Sequence, residues 1–292
     1  MTVRFIDLFA GIGGFHLALH ELGASCVFAS EWDKEARRTY EHNFRSVSPE
    51  LFEKENFVGD ITKVDKHEIP DFDLLTGGFP CQPFSQAGLK KGFEDIRGTL
   101  FFDIAEIIRV KKPKAYFLEN VRHLHQHDNG RTFEVIKRTL TEELGYSFQE
   151  FIVKASYHGL PQHRPRLFMI GFRDPDLTIA MPEKKPLSFS MSDVMGGAVD
   201  REVGYTLRVG GRGSGVGDRR NWDSYLVDGV EQRLTPQQGL KMQGFPEGFE
   251  FPVSKTAAMK QLGNSVAVWA IRDYAREILR TLGESEVESK VE

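Results

Sequence analysis

The sequence predicts an α/β protein built on a mostly parallel sheet, with antiparallel edge strands and a small irregular second region. Three observations predict it. Residues 3–120 alternate short apolar runs with segments of helical spacing, the pattern of parallel strands joined by crossover helices. Residues 147–156 and 164–173 are two strand-like runs with no helix between them, which reads as an antiparallel addition at the sheet edge. From about Asp174 the periodicity gives way to proline and glycine, and a regular helix returns only near the C-terminus.

In chain order, VRFIDLF (3–9) is a first strand running into glycines, and GFHLALHELG (14–23) is a helix closed by Gly23. SCVFASEW (25–32) and KEARRTYEHNF (34–44) repeat the unit. NFVGDI (56–61) and DFDLLTGG (71–78) supply two more strands, and a helical stretch at 99–110 leads into KAYFLEN (114–120). In the irregular part, Thr235 reads as a helix N-cap, with Pro236 in the first turn and Gln238 at the capping-box position. A last helix follows, capped by Asn264 or Ser265, and the final residues read as a frayed polar tail. The expected boundaries are 1–173 for the main domain, 174–254 for the irregular region, 255–282 for the returning helix and 283–292 for the tail.

The chain has 292 residues, 40% of them hydrophobic and 27% charged, enough to bury a full core without staples. Its two cysteines stand in unlike contexts, Cys26 inside an apolar run and Cys81 among prolines, which points to a reducing cytoplasm rather than a disulfide. The N-terminus lacks the apolar stretch of a signal peptide, and no apolar run approaches the ~18 residues of a membrane span. A net charge of −4 leaves any nucleic-acid contact to local basic patches.

Gly11, Gly13 and Gly14 lie between a strand and a helix, where backbone can approach a ligand at a helix N-terminus. Glu31, ending the second strand, suits ribose hydroxyls, and Asp60, ending the third, suits an adenine amino group. Phe9 and Trp32 offer stacking faces. Each has a plainer alternative in a structural turn, a solvated loop acid or a core ring, and a dinucleotide site competes. The fourth strand delivers FPCQPFS, in which Cys81 stands between Pro80 and Pro83, a poor setting for a core thiol and a good one for a nucleophile. The fifth delivers Glu119 and Asn120 to the same carboxyl edge, where open α/β sheets bind ligands. The alternative for Glu119 is a structural acid capping the next turn. Cys26 reads as a small core residue.

The segments DLFAGIGG, EWD, GDI, GGFPCQPFS, FLENV, QHRPRLF, RLTPQQGLKMQGFP and QLGNSV follow one another along nearly the whole chain. In this order and content the sequence resembles the cytosine-C5 DNA methyltransferase family. The resemblance implies a Rossmann-like, S-adenosylmethionine-dependent methyltransferase sheet with a small target-recognition domain. It implies a cofactor, released as S-adenosylhomocysteine, held by Phe9, Gly11, Gly13, Gly14, Glu31, Trp32, Asp60 and Ile61, with Pro80, Leu100, Asn264 and Ser265 beside them.

The implied chemistry explains the residue types. Cytosine C5 is too poor a nucleophile to accept a methyl group unaided, and addition of the Cys81 thiolate to C6 gives C5 carbanion character. Glu119 would serve as the acid at N3. Arg166 would hold the base carbonyl and Arg164 would support the catalytic loop, the two falling on one strand face. His163 receives no role. The target carbon is unreachable inside a duplex, so the base must be flipped out. Gln82 and Ser85, with Lys90, Lys91 and Arg97 on a loop hinged at Gly88, Gly92 and Gly98, would contact DNA, solvated loop charges being the alternative.

Residues 204–229 hold Arg208, Arg212, Arg219 and Arg220 among glycines, suited to guanine edges or to phosphates, the alternative being a flexible linker. Thr206 and Leu207 resemble a Thr-Leu pair of family recognition regions. The expected partner is double-stranded DNA, with a cognate restriction endonuclease as functional partner only, no membrane, and a monomer. Two other readings compete: the tRNA-methylating branch of the family, and a catalytically silent DNA-binding relative. The presence of Cys81, Glu119, Arg164 and Arg166 argues against the silent one.

Overall fold

A computed structural model describes residues 2–80 and 99–288, with side chains placed as far as residue 284. Among these residues, β1 (Arg4–Leu8), β2 (Ser25–Ser30), β3 (Phe57–Val58), β4 (Leu74–Gly78), β5 (Ala115–Val121), β6 (Gln149–Lys154) and β7 (Pro165–Phe172) form one sheet in the order β3-β2-β1-β4-β5-β7-β6. β1 to β5 run parallel, while β7 runs against both β5 and β6. The antiparallel addition is therefore present, with the later strand inserted between β5 and β6, so that β6 is the edge.

The strands read as continuous apolar runs because both faces are covered. Phe5, Leu74, Phe117 and Phe168 point to one side, where they pack with Phe15 and Leu19 of α1 (Gly14–His20) and with residues near the C-terminus. Ile6, Leu75, Leu118 and Met169 point to the other. The next helices are α2 (Lys34–Phe44), whose N-cap Asp33 accepts from the Glu35 and Ala36 amides, and the short α3 (Pro49–Glu53). α4 (Leu100–Lys111) and α5 (Arg131–Arg138) cover the second face with Ile104, Ile107, Val135 and Ile136.

Beyond the sheet come α6 (Met191–Met195), the hairpin β8 (Ser224–Val227) and β9 (Val230–Arg233), and α7 (Pro236–Gln243). The hairpin turns on Asp228 and Gly229, at φ 50° and 81°, the paired left-handed conformation of a two-residue type I′ loop. Thr235 caps α7 as expected: it accepts from the Gln238 amide, while the Gln238 side chain accepts from the Thr235 amide.

The C-terminal part departs from the expectation of one helix over 255–282 followed by a polar tail. α8 (Lys255–Asn264) and α9 (Val268–Glu288) are separate, and α9 extends through most of the expected tail. Asn264 ends α8, and Ser265 is its C-cap in an extended conformation rather than the start of the next helix. The break is stabilised from far along the chain. The buried Arg164 guanidinium donates to the carbonyls of Gly263 and Ser265, which a helix C-terminus otherwise leaves without partners. Ile271, Tyr274 and Ile278 of α9 then return to the face carrying α1.

Candidate active site

The carboxyl ends of the strands open into a cavity of about 770 Å³. Phe9 and Gly11 enter it after β1, Glu31 and Trp32 after β2, and Asp60 and Ile61 after β3. Gly78 and Pro80 come from the end of β4, Glu119 and Asn120 from β5, and Arg166 from β7. Leu100 at the start of α4 and Asn264 at the end of α8 complete the wall. Adjacent parallel strands end at one edge, so residues far apart in sequence meet there without long loops.

At the β1–β2 end the backbone is held open by a carboxylate. Glu31 accepts the Gly11 amide through Oε2 at 2.7 Å and the Asp33 amide through Oε1 at 2.7 Å. Burial pushes the Glu31 carboxyl up, and these backbone hydrogen bonds oppose the shift. Phe9 takes φ 55° and Gly11 φ 56°. A Cβ at Gly11 would meet nothing within 4 Å, so its backbone faces free space. Trp32 is 79% exposed at the rim. Asp60 accepts from the Thr62 hydroxyl at 2.7 Å and from its amide at 3.1 Å, and these bonds hold its carboxyl below the usual range.

The glycine turn divides its labour in a way the sequence left open. A Cβ on Gly13 would stand 2.2 Å from the Phe44 ring, and one on Gly14 would stand 2.5 Å from Val266. Neither residue lines the cavity, and neither does Ser265. Gly13 and Gly14 let α1 sit against α2 and the C-terminal segment, and the Ser265 carbonyl receives Arg164.

At the β4–β5 end, Glu119 stands opposite Gly78 in the parallel ladder and opposite Phe168 in the antiparallel one. Arg166 lies opposite Val121, on the same face, and its Nε is 2.8 Å from Glu119 Oε1, both side chains being nearly buried. Asn120, given no role in the sequence reading, donates from Nδ2 to the Phe79 carbonyl at 2.8 Å. It thus ties the end of β5 to the segment just before the nucleophile candidate. Arg164 precedes β7 and does not share the cavity-facing side with Arg166; its guanidinium is buried against the carbonyls of Leu207, Gly263 and Ser265. Cys81, Gln82, Ser85, Lys90, Lys91 and Arg97, with the three expected hinge glycines, lie outside the described residues. Cys26 is a buried core thiol, pushed upward in pKa by that burial.

A C-5 cytosine-specific DNA methylase family model matches residues 3–196 and 199–280. The chain belongs to the C-5 cytosine-specific DNA methylase family. As a member it is 43% identical to the type II methyltransferase M.SsoII of Shigella sonnei, over 96% of this chain and 80% of that protein. It is 39% identical to the type II methyltransferase M.HhaI of Haemophilus parahaemolyticus, over 94% of each chain. The DNMT2 structure from Spodoptera frugiperda shares the fold, with a TM-score of 0.70 at 19% identity, covering 95% of this chain and 100% of that one. The four arginines singled out within residues 204–229 are unequally placed. Arg212 pairs with the buried Asp223 at 3.2 Å, Arg220 pairs with Asp218 at 2.7 Å, Arg208 donates to the Arg220 carbonyl, and Arg219 stands exposed. Among the described residues no helix is long and apolar enough to cross a membrane.

Proposed function

We propose that the chain transfers the methyl group of S-adenosylmethionine to C5 of a cytosine flipped out of duplex DNA, with Cys81 as nucleophile at C6, as the modification enzyme of a type II restriction–modification system. The observation that carries this reading is one continuous cavity. Its β1–β3 end offers an open glycine backbone, two aromatic rings and two carboxylates, and its β4–β5 end offers the Glu119–Arg166 pair. The donor set fits the cofactor: Gly11 leaves space a side chain would fill, Trp32 and Phe9 line the cavity with aromatic rings, and Glu31 and Asp60 with carboxylates. Bound there, S-adenosylmethionine supplies an electrophilic methyl on a sulfonium.

The chain's own residues do the rest. Cys81 follows β4 by three residues, so its strand end is next to that of Glu119. Addition of its thiolate to C6 moves electron density onto the ring, and a proton or hydrogen bond from Glu119 at N3 stabilises the enamine with nucleophilic C5. Arg166, held against Glu119 in the cavity wall, would hold the base carbonyl. After C5 is alkylated, loss of its proton and expulsion of the thiolate restore aromaticity. Closing a segment over the flipped base would exclude water and strengthen each of these contacts. The reading includes a monomer acting in the cytoplasm, with a cognate endonuclease as functional partner.

Labelled methyl transfer to duplex DNA and, separately, to tRNA tests the substrate, and bisulfite sequencing of plasmid from expressing cells reads the methylated cytosine and its context. Transfer to tRNA alone would move the chain to the RNA-methylating branch, and transfer to neither would favour a silent DNA-binding relative. Cys81→Ala should keep cofactor binding and abolish turnover; substantial residual turnover refutes covalent catalysis by this thiol.

A further inference from the structure

The recognition region contains a carboxylate that no step above uses. Asp223 begins the turn into β8, and its side chain is fully buried. Two guanidinium groups converge on it: Arg212 Nε lies 3.2 Å from Oδ2, and Arg233 Nη1 lies 3.2 Å from Oδ1. The Gly213 amide also donates to Oδ1 at 3.3 Å. Arg233 reaches on to the Gly213 carbonyl at 3.1 Å, and the buried Trp222 donates its indole N–H to the Gly210 carbonyl at 2.8 Å. A buried charge is tolerated only when paired, and here the pairing braces a glycine-rich loop from inside.

The base of the same loop is fixed to the catalytic cavity. A Cβ on the cavity-lining Gly263 would stand 2.5 Å from the Arg208 carbonyl carbon, so loop backbone packs directly on that wall. Arg164 ties Leu207 to Gly263 by donating to both carbonyls. The outer side of the loop is a different surface. Val216 is 44% exposed there, and Arg219 is exposed with no ion-pair partner among the described residues.

We infer that Asp223 is the positioning residue for target recognition: through Arg212 and Arg233 it holds residues 209–220 in one shape, so that the outer side carrying Arg219 reads the DNA while Arg212 acts through the brace. The inference rests on the DNA-methylating reading above. Two guanidinium groups facing one carboxylate leave Arg212 little freedom to reach a base edge, whereas Arg219 keeps its full fork of donors for a guanine. The glycines serve the brace, since Gly210, Gly211, Gly213 and Gly217 all take φ between 70° and 96°.

The test uses the full-length enzyme, a duplex carrying the site found by bisulfite sequencing, and duplexes altered at one base pair. Asp223→Asn and Arg212→Ala should each lower kcat/KM on the true site by about tenfold or more. Each should also shrink the preference over altered sites, with cofactor binding unchanged. The double variant should lose no more than the worse single one, because both changes open the same brace. Arg219→Ala should relax preference mainly at one base position. Losses of Asp223→Asn and Arg212→Ala that multiply, or full discrimination in Asp223→Asn, would overturn the inference. If Asp223→Asn does not fold, Arg233→Ala takes its place, since Arg233 holds both Asp223 and the Gly213 carbonyl: reduced discrimination supports the brace, and full discrimination overturns it. A wild-type enzyme that methylates no duplex sinks the DNA reading itself; a wild-type enzyme with a defined site and an indifferent Asp223→Asn sinks only this step.

Discussion

Glu119 and Arg166 are diagonal neighbours across the antiparallel β5–β7 ladder, joined by a 2.8 Å ion pair in the wall of the cavity. Diagonal positions on one sheet face bring long side chains together without a turn or loop to position them. The pair is therefore preorganised by strand register, which is the condition under which a fixed charge assists a developing one.

Arg166→Ala should lower kcat for methyl transfer by about 10²–10³, the usual effect of deleting one preorganised donor. Cofactor affinity should hardly move. Arg166→Lys should recover little, because an ammonium cannot reproduce the planar fork. Single-turnover rates with titrated cofactor binding check this, and a loss confined to cofactor affinity would count against the role.

Gly78→Ala should impair chemistry more than folding. A Cβ there would stand 3.3 Å from Glu119 Oε2, so the carboxylate would have to give way by a few tenths of an ångström. A displacement of this size should reduce kcat by roughly tenfold, since about 1 Å of misplacement can cost 10². Unchanged kcat would mean that the carboxylate position is not critical.

The glycine turn should separate stability from binding. Gly13→Ala places a methyl 2.2 Å from the Phe44 ring at φ 87°, and should lower stability by about 1–3 kcal/mol. Gly11→Ala meets no atom within 4 Å and carries only the strain of φ 56°. It should cost about 1 kcal/mol of stability and weaken cofactor binding more strongly. Melting curves and calorimetric titration of S-adenosylmethionine distinguish the two, and an equal loss of both properties in each variant would contradict the division.

Asp273 predicts an acid-sensitive anchor for α9. Burial alone would raise its carboxyl, but hydrogen bonds from His158 at 2.9 Å and Lys185 at 2.6 Å outweigh this and hold it at about 2, against an ordinary 3.8. A folded value below the unfolded one gives stability that is fully present above about pH 4 and is lost as pH falls toward 2. Asp273→Asn should cost about 2 kcal/mol at pH 7, and the gap from wild type should narrow across that window. Urea denaturation at several pH values measures it; a gap independent of pH would refute the linkage.

The strands, the order of the motifs, and the delivery of Glu31, Asp60 and Glu119 to one edge were legible because each depends on a few consecutive residues. Apolar runs declare strands buried on both faces, and in a parallel sheet every such strand ends on the same side. The Asp228–Gly229 hairpin is also written locally, as a two-residue turn signal between strand-like flanks.

What the sequence could not decide was which of several similar residues face the cavity. Gly11, Gly13 and Gly14 look alike until Phe44 and Val266 arrive behind two of them. Gly263, Asn264 and Ser265 mark a helix end locally, but the group that fills the orphaned carbonyls, Arg164, lies about a hundred residues away. Arg212 and Arg219 read as equivalent cations until the buried Asp223 pairs with the first and leaves the second exposed. The sequence by itself determined the family, the sheet and the chemistry its edge can carry, because those follow from short-range pattern and residue type. The tertiary structure decided which arginine is paired and which glycine is packed, because packing and desolvation are set by atoms that meet only when the chain has closed on itself.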